Sequence, residues 1–432
     1  MLNNLTILIF SNTSTYIRTS VCLGDNEEIE LKKHILVVSQ YFYPEQFRIN
    51  DICRKLVERD YKVTVLTGIP NYPSGSYYDG YHLFSKGESY EGINIIRIPL
   101  LPRRRGKISL ILNYFSFVFS GYIWSKMTKL QVDAVFIYQL SPMTQALPGI
   151  WYGKKRKLPI FLYVLDLWPE SVQIVGRIQN KYIVKKLNEM VDYIYQNVDC
   201  ILTSSQSFIQ KIQKRGIDKA KLVFWPQYAE DCYSPVMTPS ENEIILGKKL
   251  NITFAGNIGE AQGLGILPKV ALELQSLNVP IRFNIIGEGR YKDTLVQEVS
   301  KLGVNKCFNF IGQKKPEEIP SYFANSDASL IILSQNELFD LTIPAKLQST
   351  MACGIPIIAS LNGEAGDIIR ESQSGLVSGA GDVKGLVENI LHFSKLSLSE
   401  KKCFAKNALQ YSKNYYNRDR LLDELEQLIS RD

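Results

Sequence analysis

HILVVSQYFYPEQFRINDICRKLVERDYKVTVLT, residues 34–67, joins two apolar runs through a stretch with helical patterning. HILVVS (34–39) and YKVTVLT (61–67) are rich in β-branched residues, as expected of strands buried in a parallel sheet. Between them NDICRKLVERD (50–60) carries the helix that would return the chain to the start of the next strand. The three together read as one βαβ unit. The alternation continues through NIIRIP (94–99), DAVFIY (133–138), PIFLYV (159–164) and DCILTS (199–204). It starts afresh with NITFAG (251–256), IRFNIIG (281–287), CFNFIG (307–312), ASLIIL (328–333) and IPIIAS (355–360). Strands alternating with helices in both halves predict an α/β chain of two Rossmann-like, doubly wound domains. A Pro- and Ser-rich boundary falls at Pro235–Leu246, so the first domain is expected over 32–235 and the second over 236–406. Residues 1–31 fit neither domain and read as an extension, or as a start assigned too far upstream.

At 432 residues the chain is too long for one core. Seven scattered cysteines read as reduced thiols, and three distant histidines give no metal-site spacing. The charge is uneven. Residues 32–230 carry 28 Lys and Arg against 15 Asp and Glu, whereas residues 231–432 carry 21 against 24. A basic first half points that half alone towards a polyanion. The basic run Arg103, Arg104, Arg105 and Lys107 precedes ISLILNYFSFVFSGYIWS (108–125), which has no charged residue. Asn113, Ser116, Ser120 and Gly121 dilute this segment, so it reads first as an interfacial helix on an anionic membrane surface, with a purely internal helix and a span as alternatives. No nucleic-acid-binding motif accompanies the charge, and no nucleic-acid partner is expected.

Ligands of doubly wound sheets sit beyond the carboxyl ends of the strands. The first such loop, SQYFYPEQFR (39–48), has no glycine, which argues against a dinucleotide fingerprint. In the second half AGNIGEAQGLG (255–265) and GEGR (287–290) are glycine-rich and follow strands, so their amides are placed to cradle phosphates. Arg290 offers a bidentate phosphate contact. A third loop, from Ser334 to Pro344, leads into a helix whose first amides and Lys346 are expected to face the same anion.

Five motifs carry a family resemblance: SQYFYPEQFRIND (39–51), TGIPNYPSG (67–75), LDLWPES (165–171), AGNIGEAQGL (255–264) and MACGIPI (351–357). They resemble the retaining family-4 glycosyltransferases, whose GT-B architecture sets two Rossmann-like domains across a cleft. The N-terminal motifs resemble the WbuB-like transferases of O-antigen and capsule assembly, and the likeness runs over about residues 32–430. It implies a nucleotide sugar, UDP-linked, bound mainly by the second domain, and a polyprenyl-diphosphate-linked acceptor on the first. It also implies a final helix, about Asn407–Ile429, that crosses back onto the first domain.

The resemblance assigns donor contacts to Gly256, Asn257, Gln262, Gly287, Thr342 and Ser349. The family's cationic clamp maps onto the neutral Asn257 and Gln262, so Lys346 and Arg290 are expected to replace it. The glutamate that contacts the nucleotide ribose maps onto Ser349, leaving Glu364 as one candidate. Glu337 stands for the family's other glutamate. The family's His-Asp pair is Leu165-Asp166 here, and an apolar Leu165 suits a 6-deoxy donor such as an N-acetylfucosamine nucleotide. Asp166, Glu45 and Glu337 are the candidate catalytic residues, with Tyr43, Arg48 and Asn71 on the acceptor side. No Asp-x-Asp motif is present, so neither metal nor other cofactor is expected. The expected location is the cytoplasm, peripheral to the inner face of the plasma membrane. A nucleotide-sugar 2-epimerase and a non-catalytic assembly subunit are the competing readings.

Overall fold

The structure is a computed structural model that describes residues 32–430 apart from 86, 105, 175–177 and 239. The extension over 1–31 and Arg105 therefore lie outside the described residues, as does the side chain of Lys107. One sheet contains β1 His34–Val38, β2 Lys62–Gly68, β3 Glu88–Tyr90, β4 Ile93–Ile98, β5 Ala134–Gln139, β6 Ile160–Val164, β7 Cys200–Thr203 and β8 Leu222–Phe224. Its order is β3-β4-β2-β1-β5-β6-β7-β8. The other contains β9 Leu250–Ala255, β10 Ile281–Ile286, β11 Phe308–Gly312, β12 Ala328–Ile332, β13 Ile357–Ser360 and β14 Gly375–Ser378, ordered β11-β10-β9-β12-β13-β14. Among the described residues all pairings are parallel except the β3–β4 hairpin. The two doubly wound domains expected from the sequence are present. Three strands were not anticipated: β3, β8 and β14 are only three or four residues long, too short for a hydrophobic period to register.

Both sheets reverse direction beside their first strand. β1 lies between β2 and β5, and β9 lies between β10 and β12, so each sheet has a switch point where loops diverge and leave a crevice. The opposite, amino ends of the strands are pinned in the same way in both domains. His34 N donates to Asp133 Oδ2 at 2.6 Å, Ile160 N to Asp199 Oδ2 at 2.8 Å, and Asn251 N to Asp327 Oδ2 at 2.8 Å. Each aspartate precedes one strand and accepts from an amide at the start of its neighbour, which helps fix register.

The chain's end departs from expectation. A single crossing helix over 407–429 is replaced by two, Leu398–Tyr415 and Arg418–Ser430, with the break at Tyr416 and Asn417. The first packs against Ala345–Cys353 of the second domain. The second buries Leu421, Leu425 and Ile429 completely in the first domain's core, beside Ile35, Phe136 and Tyr163. Trp225 Nε1 donates to the Leu421 carbonyl at 2.7 Å. Two helices are needed because the two apolar stripes face different domains.

The domains also meet along a seam. Leu338 is buried among Leu167 and Trp168 of the first domain, and Ser205 Oγ donates to the Leu341 carbonyl at 2.7 Å. The Gln206 and Ser207 amides donate to the two carboxylate oxygens of Glu364 at 2.8 and 2.7 Å. A carboxylate at the N-terminus of helix Gln206–Gln213 is favourably placed against the helix dipole. Glu364 therefore joins the two domains and is not free to contact a ribose.

Leu425→Ala is expected to destabilise the protein by about 2–5 kcal/mol, the range for emptying a fully buried leucine site. Urea unfolding followed by circular dichroism and by the Trp225 environment measures this; an unchanged midpoint would show that the last helix is not docked in solution.

Candidate functional site

The loops after β9, β10 and β11 converge with the start of helix Ala345–Cys353 around a cavity of about 640 Å³. That size is typical of sites for organic ligands, roughly 300–1,000 Å³. Gly256, Asn257, Gly287, Glu288 and Gly289 line it from the glycine loops, and Ala345, Lys346 and Ser349 from the helix. Pro316, Ile319 and Phe323 give it an apolar side. Arg48, Glu230 and Tyr233 close it from the first domain and the linker. The cavity thus lies between domains, at the carboxyl ends of the second sheet.

Backbone contact shapes its floor. Gly287 has φ +138°, and a Cβ there would stand 1.9 Å from the Gly256 carbonyl oxygen. Gly256 N donates to Ile286 O at 2.9 Å, and Gly287 N to Gly312 O at 2.8 Å, so the ladder continues past the strand ends. Only glycine permits this approach.

Lys346 faces this floor. Its Nζ donates to Gln262 Oε1, lies 4.2 Å from the centre of the Phe254 ring, and would be 3.5 Å from a Cβ on Gly256. No carboxylate is within ion-pair distance of it among the described residues. Burial pushes its ammonium down from 10.5 to about 7. A cation held by an amide oxygen and an aromatic face is ready for an anionic ligand. Lys346 and Gln262, assigned separately to the donor from sequence, are here one hydrogen-bonded unit.

The other candidates divide. Gly256, Asn257, Gly287 and Ser349 line the cavity as expected of donor-site residues, although the Ser349 hydroxyl donates to Ala345 O at 3.3 Å. Arg48, expected on the acceptor side, instead lines the same cavity; its guanidinium donates to Glu230 Oε1 at 3.1 and 2.9 Å and to Gln227 Oε1 at 2.5 Å. Arg290 is exposed and not part of the lining, and neither is Thr342, whose hydroxyl donates to Phe339 O. Glu337 is exposed at the start of helix Glu337–Asp340, away from the lining, because its neighbour Leu338 is drawn into the first domain's core.

Glu45 is corrected most sharply. It is buried, and its carboxylate accepts from the amides of Asn71 (2.8 Å), Tyr72 (2.7 Å) and Phe42 (3.3 Å). Burial raises it to about 7 against those bonds. It organises the loops, and its burial keeps it from orienting an acceptor. Asn71 is equally committed, accepting from Arg103 N at 2.8 Å and donating to Ile69 O at 2.9 Å. Tyr43 stacks on Tyr90, with ring centres 3.7 Å apart. Leu165 is half-buried and packs on the first domain's core, outside the cavity lining. Asp166 is half-buried at the end of β6, accepting from Ser171 Oγ and Trp168 Nε1, and burial raises its carboxyl. Sequence reasoning missed Glu230, Tyr233 and the apolar side Pro316, Ile319 and Phe323. The linker carries no motif, and the apolar residues read as ordinary core.

Lys346→Met is expected to stabilise the empty protein at pH 7. The unfolded chain keeps the lysine proton up to about 10.5, while the folded chain loses it near 7. Stability therefore rises with pH between those values, and the advantage of the mutant shrinks over the same window. Urea midpoints of both proteins at pH 7, 8.5 and 10 test this; a pH-independent difference would show that the lysine is not desolvated.

Residues 240–411 match the family described as Glycosyl transferases group 1. The chain is 23% identical over 337 residues to WcaI of Escherichia coli (strain K12), provisionally assigned as a colanic acid biosynthesis glycosyl transferase; the match covers 74% of this chain and 81% of WcaI. Among solved structures it resembles WaaG, a glycosyltransferase involved in lipopolysaccharide biosynthesis, with TM-score 0.66 and 14% identity over 92% of this chain and all of the other. It likewise resembles Anabaena HepE in complex with UDP and glucose, with TM-score 0.65 and 12% identity over 92% and 100% of the two chains. Both neighbours share the two-domain GT-B fold. Residues 240–411, which build most of the cavity, thus match the group 1 glycosyl transferase model, and the chain as a whole shares the GT-B fold of these neighbours.

Proposed function

We propose that this protein is a glycosyltransferase of bacterial polysaccharide assembly. It takes a sugar from a nucleoside diphosphate, UDP first among them, and passes it with retention to a hydroxyl of a lipid-linked saccharide. The observation that carries the reading is the cavity, which sets a glycine-built floor beside a lysine that has no carboxylate partner among the described residues. Departure of the diphosphate builds negative charge on its oxygens, and fixed donors in a water-poor site stabilise that charge. The first turn of helix Ala345–Cys353 and Lys346 supply those donors, above the floor that Gly256 and Gly287 form. Pro316, Ile319 and Phe323 form an apolar shelf for the base. WcaI, with its assignment to colanic acid synthesis, supports the polysaccharide context, and HepE with bound UDP supports the nucleotide.

Two finer points belong to this reading. The donor is a 6-deoxy sugar. This rests on the family resemblance, in which Leu165 takes the place of a histidine, since Leu165 itself packs on the first domain's core outside the cavity lining. The protein lies on an anionic membrane surface through helix Lys107–Met127. That helix has two faces: Asn113, Phe117, Gly121 and Ser125 are buried, while Ile108, Ile111, Leu112, Phe115, Phe119, Tyr122, Ile123 and Met127 are exposed. The polar residues that dilute its sequence fasten it inward. Asn113 bonds Gln40 and the Leu101 carbonyl, Ser116 accepts from Leu101 N, and Gly121 admits the Pro148 ring. A helix fixed along one side and apolar along the other favours lying in the interface over spanning it.

Thermal shift with a panel of nucleotides and paired 6-deoxy and 6-hydroxy nucleotide sugars tests the donor. UDP at about a hundred times its Kd should stabilise the protein by about 2.7 kcal/mol. The 6-deoxy donors should turn over about ten- to a hundredfold more efficiently, and Leu165→His should narrow that ratio. Absence of any nucleotide effect would overturn the function. For the membrane, sedimentation with vesicles containing anionic lipid should fall in the Phe115→Asp/Phe119→Asp protein and at high salt; undiminished binding would refute the interfacial role.

A further inference from the structure

The cavity holds an acceptor that the diphosphate cannot use. Glu230 lines it from the linker between domains, with its side chain 40% exposed. Oε1 takes both guanidinium contacts from Arg48, at 3.1 and 2.9 Å, and Oε2 has no hydrogen-bond partner among the described residues. The carboxylate is held firmly. Arg48 is itself gripped by Gln227 and lies over the Tyr228 ring, 5.9 Å from its centre, and the Glu230 carbonyl closes a turn with Tyr233 N at 2.9 Å. The carboxylate pairs with a guanidinium and offers only acceptor oxygens to a ligand. It repels phosphate and selects a ligand group that donates, and two adjacent hydroxyls suit a fixed carboxylate best.

The rest of the lining offers no equal. Glu288 is exposed and its Oε1 is bound by Lys292. Ser349 spends its hydroxyl on Ala345 O, and Lys346 only donates. In a nucleoside diphosphate the ribose joins the apolar base to the phosphates, and it is the part that carries adjacent hydroxyls. With the base on the Pro316–Phe323 side and the phosphates at Lys346, the ribose is left to the remaining wall. We propose that Glu230, oriented by Arg48, binds the ribose 2′- and 3′-hydroxyls of the donor nucleotide. This rests on the donor reading above and adds to it that nucleotide affinity depends on a linker residue and on an arginine of the opposite domain. Arg48 acts here as a positioning residue for the carboxylate.

Calorimetric titration of the whole protein with UDP and 2′-deoxy-UDP tests it. The native protein should bind UDP about tenfold or more tightly than the deoxy ligand, because the carboxylate loses one of its two hydroxyl donors. Glu230→Ala should retain UDP binding, weakened, while the preference falls to about twofold or less. Failure of either ligand to bind the native protein would overturn the donor reading and this proposal with it. Binding of UDP with no preference for the 2′-hydroxyl would overturn the proposal alone. So would a preference undiminished in Glu230→Ala.

Discussion

The Gly256 carbonyl lies so close to the Gly287 backbone that no side chain fits between them, and the site is organised around that approach. It lets the hydrogen-bond ladder run past the ends of β9 and β10, so that two loops turn outward side by side. The two loops then line the crevice at the carboxyl ends of the second sheet. A methyl group on Gly287 would push the loops apart, and the floor under Lys346 would be lost. The same sheet topology in the first domain brings a crevice to the facing side, and the last helix and the seam around Leu338 and Glu364 hold the two together.

Charge inside the cavity is arranged at a cost in stability. A lysine placed against an amide oxygen and an aromatic face loses hydration that no carboxylate returns, and its lowered pKa expresses that loss. Sites that bind anions commonly accept such a penalty because the ligand removes it. Arg48 is treated oppositely: Glu230 and Gln227 satisfy it, so its charge serves to hold a carboxylate in place. One cation is left open and the other is closed, and the two sit on different walls of one cavity.

The helix Lys107–Met127 inverts the usual arrangement of a surface helix. Asn113 and Ser125 face the protein with Phe117, while Phe115, Phe119 and Tyr122 face outward. Its anchor also ties the basic run to the first domain's loops. Asn71 receives Arg103 N, and Asn71 N is in turn bound by Glu45. Glu45 and Asn71, expected near an acceptor, are therefore framework beneath this helix.

Much of the architecture was legible in the chain because buried parallel strands must be continuous apolar runs, and each such run of five or more residues became a strand. Glycine-rich loops after strands were equally readable, since only glycine tolerates the backbone approach they make; Gly256 and Gly287 lie in the cavity wall. Lys346 was found by its place at a helix start. The carboxylates could not be sorted in this way. Glu45, Glu230, Glu337 and Glu364 look alike in sequence, and each took its role from what folding placed against it: three amides, a guanidinium, solvent, or a helix N-terminus. A carboxylate is defined by its partners, and those of Glu364 and Glu230, 158 and 182 residues away, are set by tertiary structure alone.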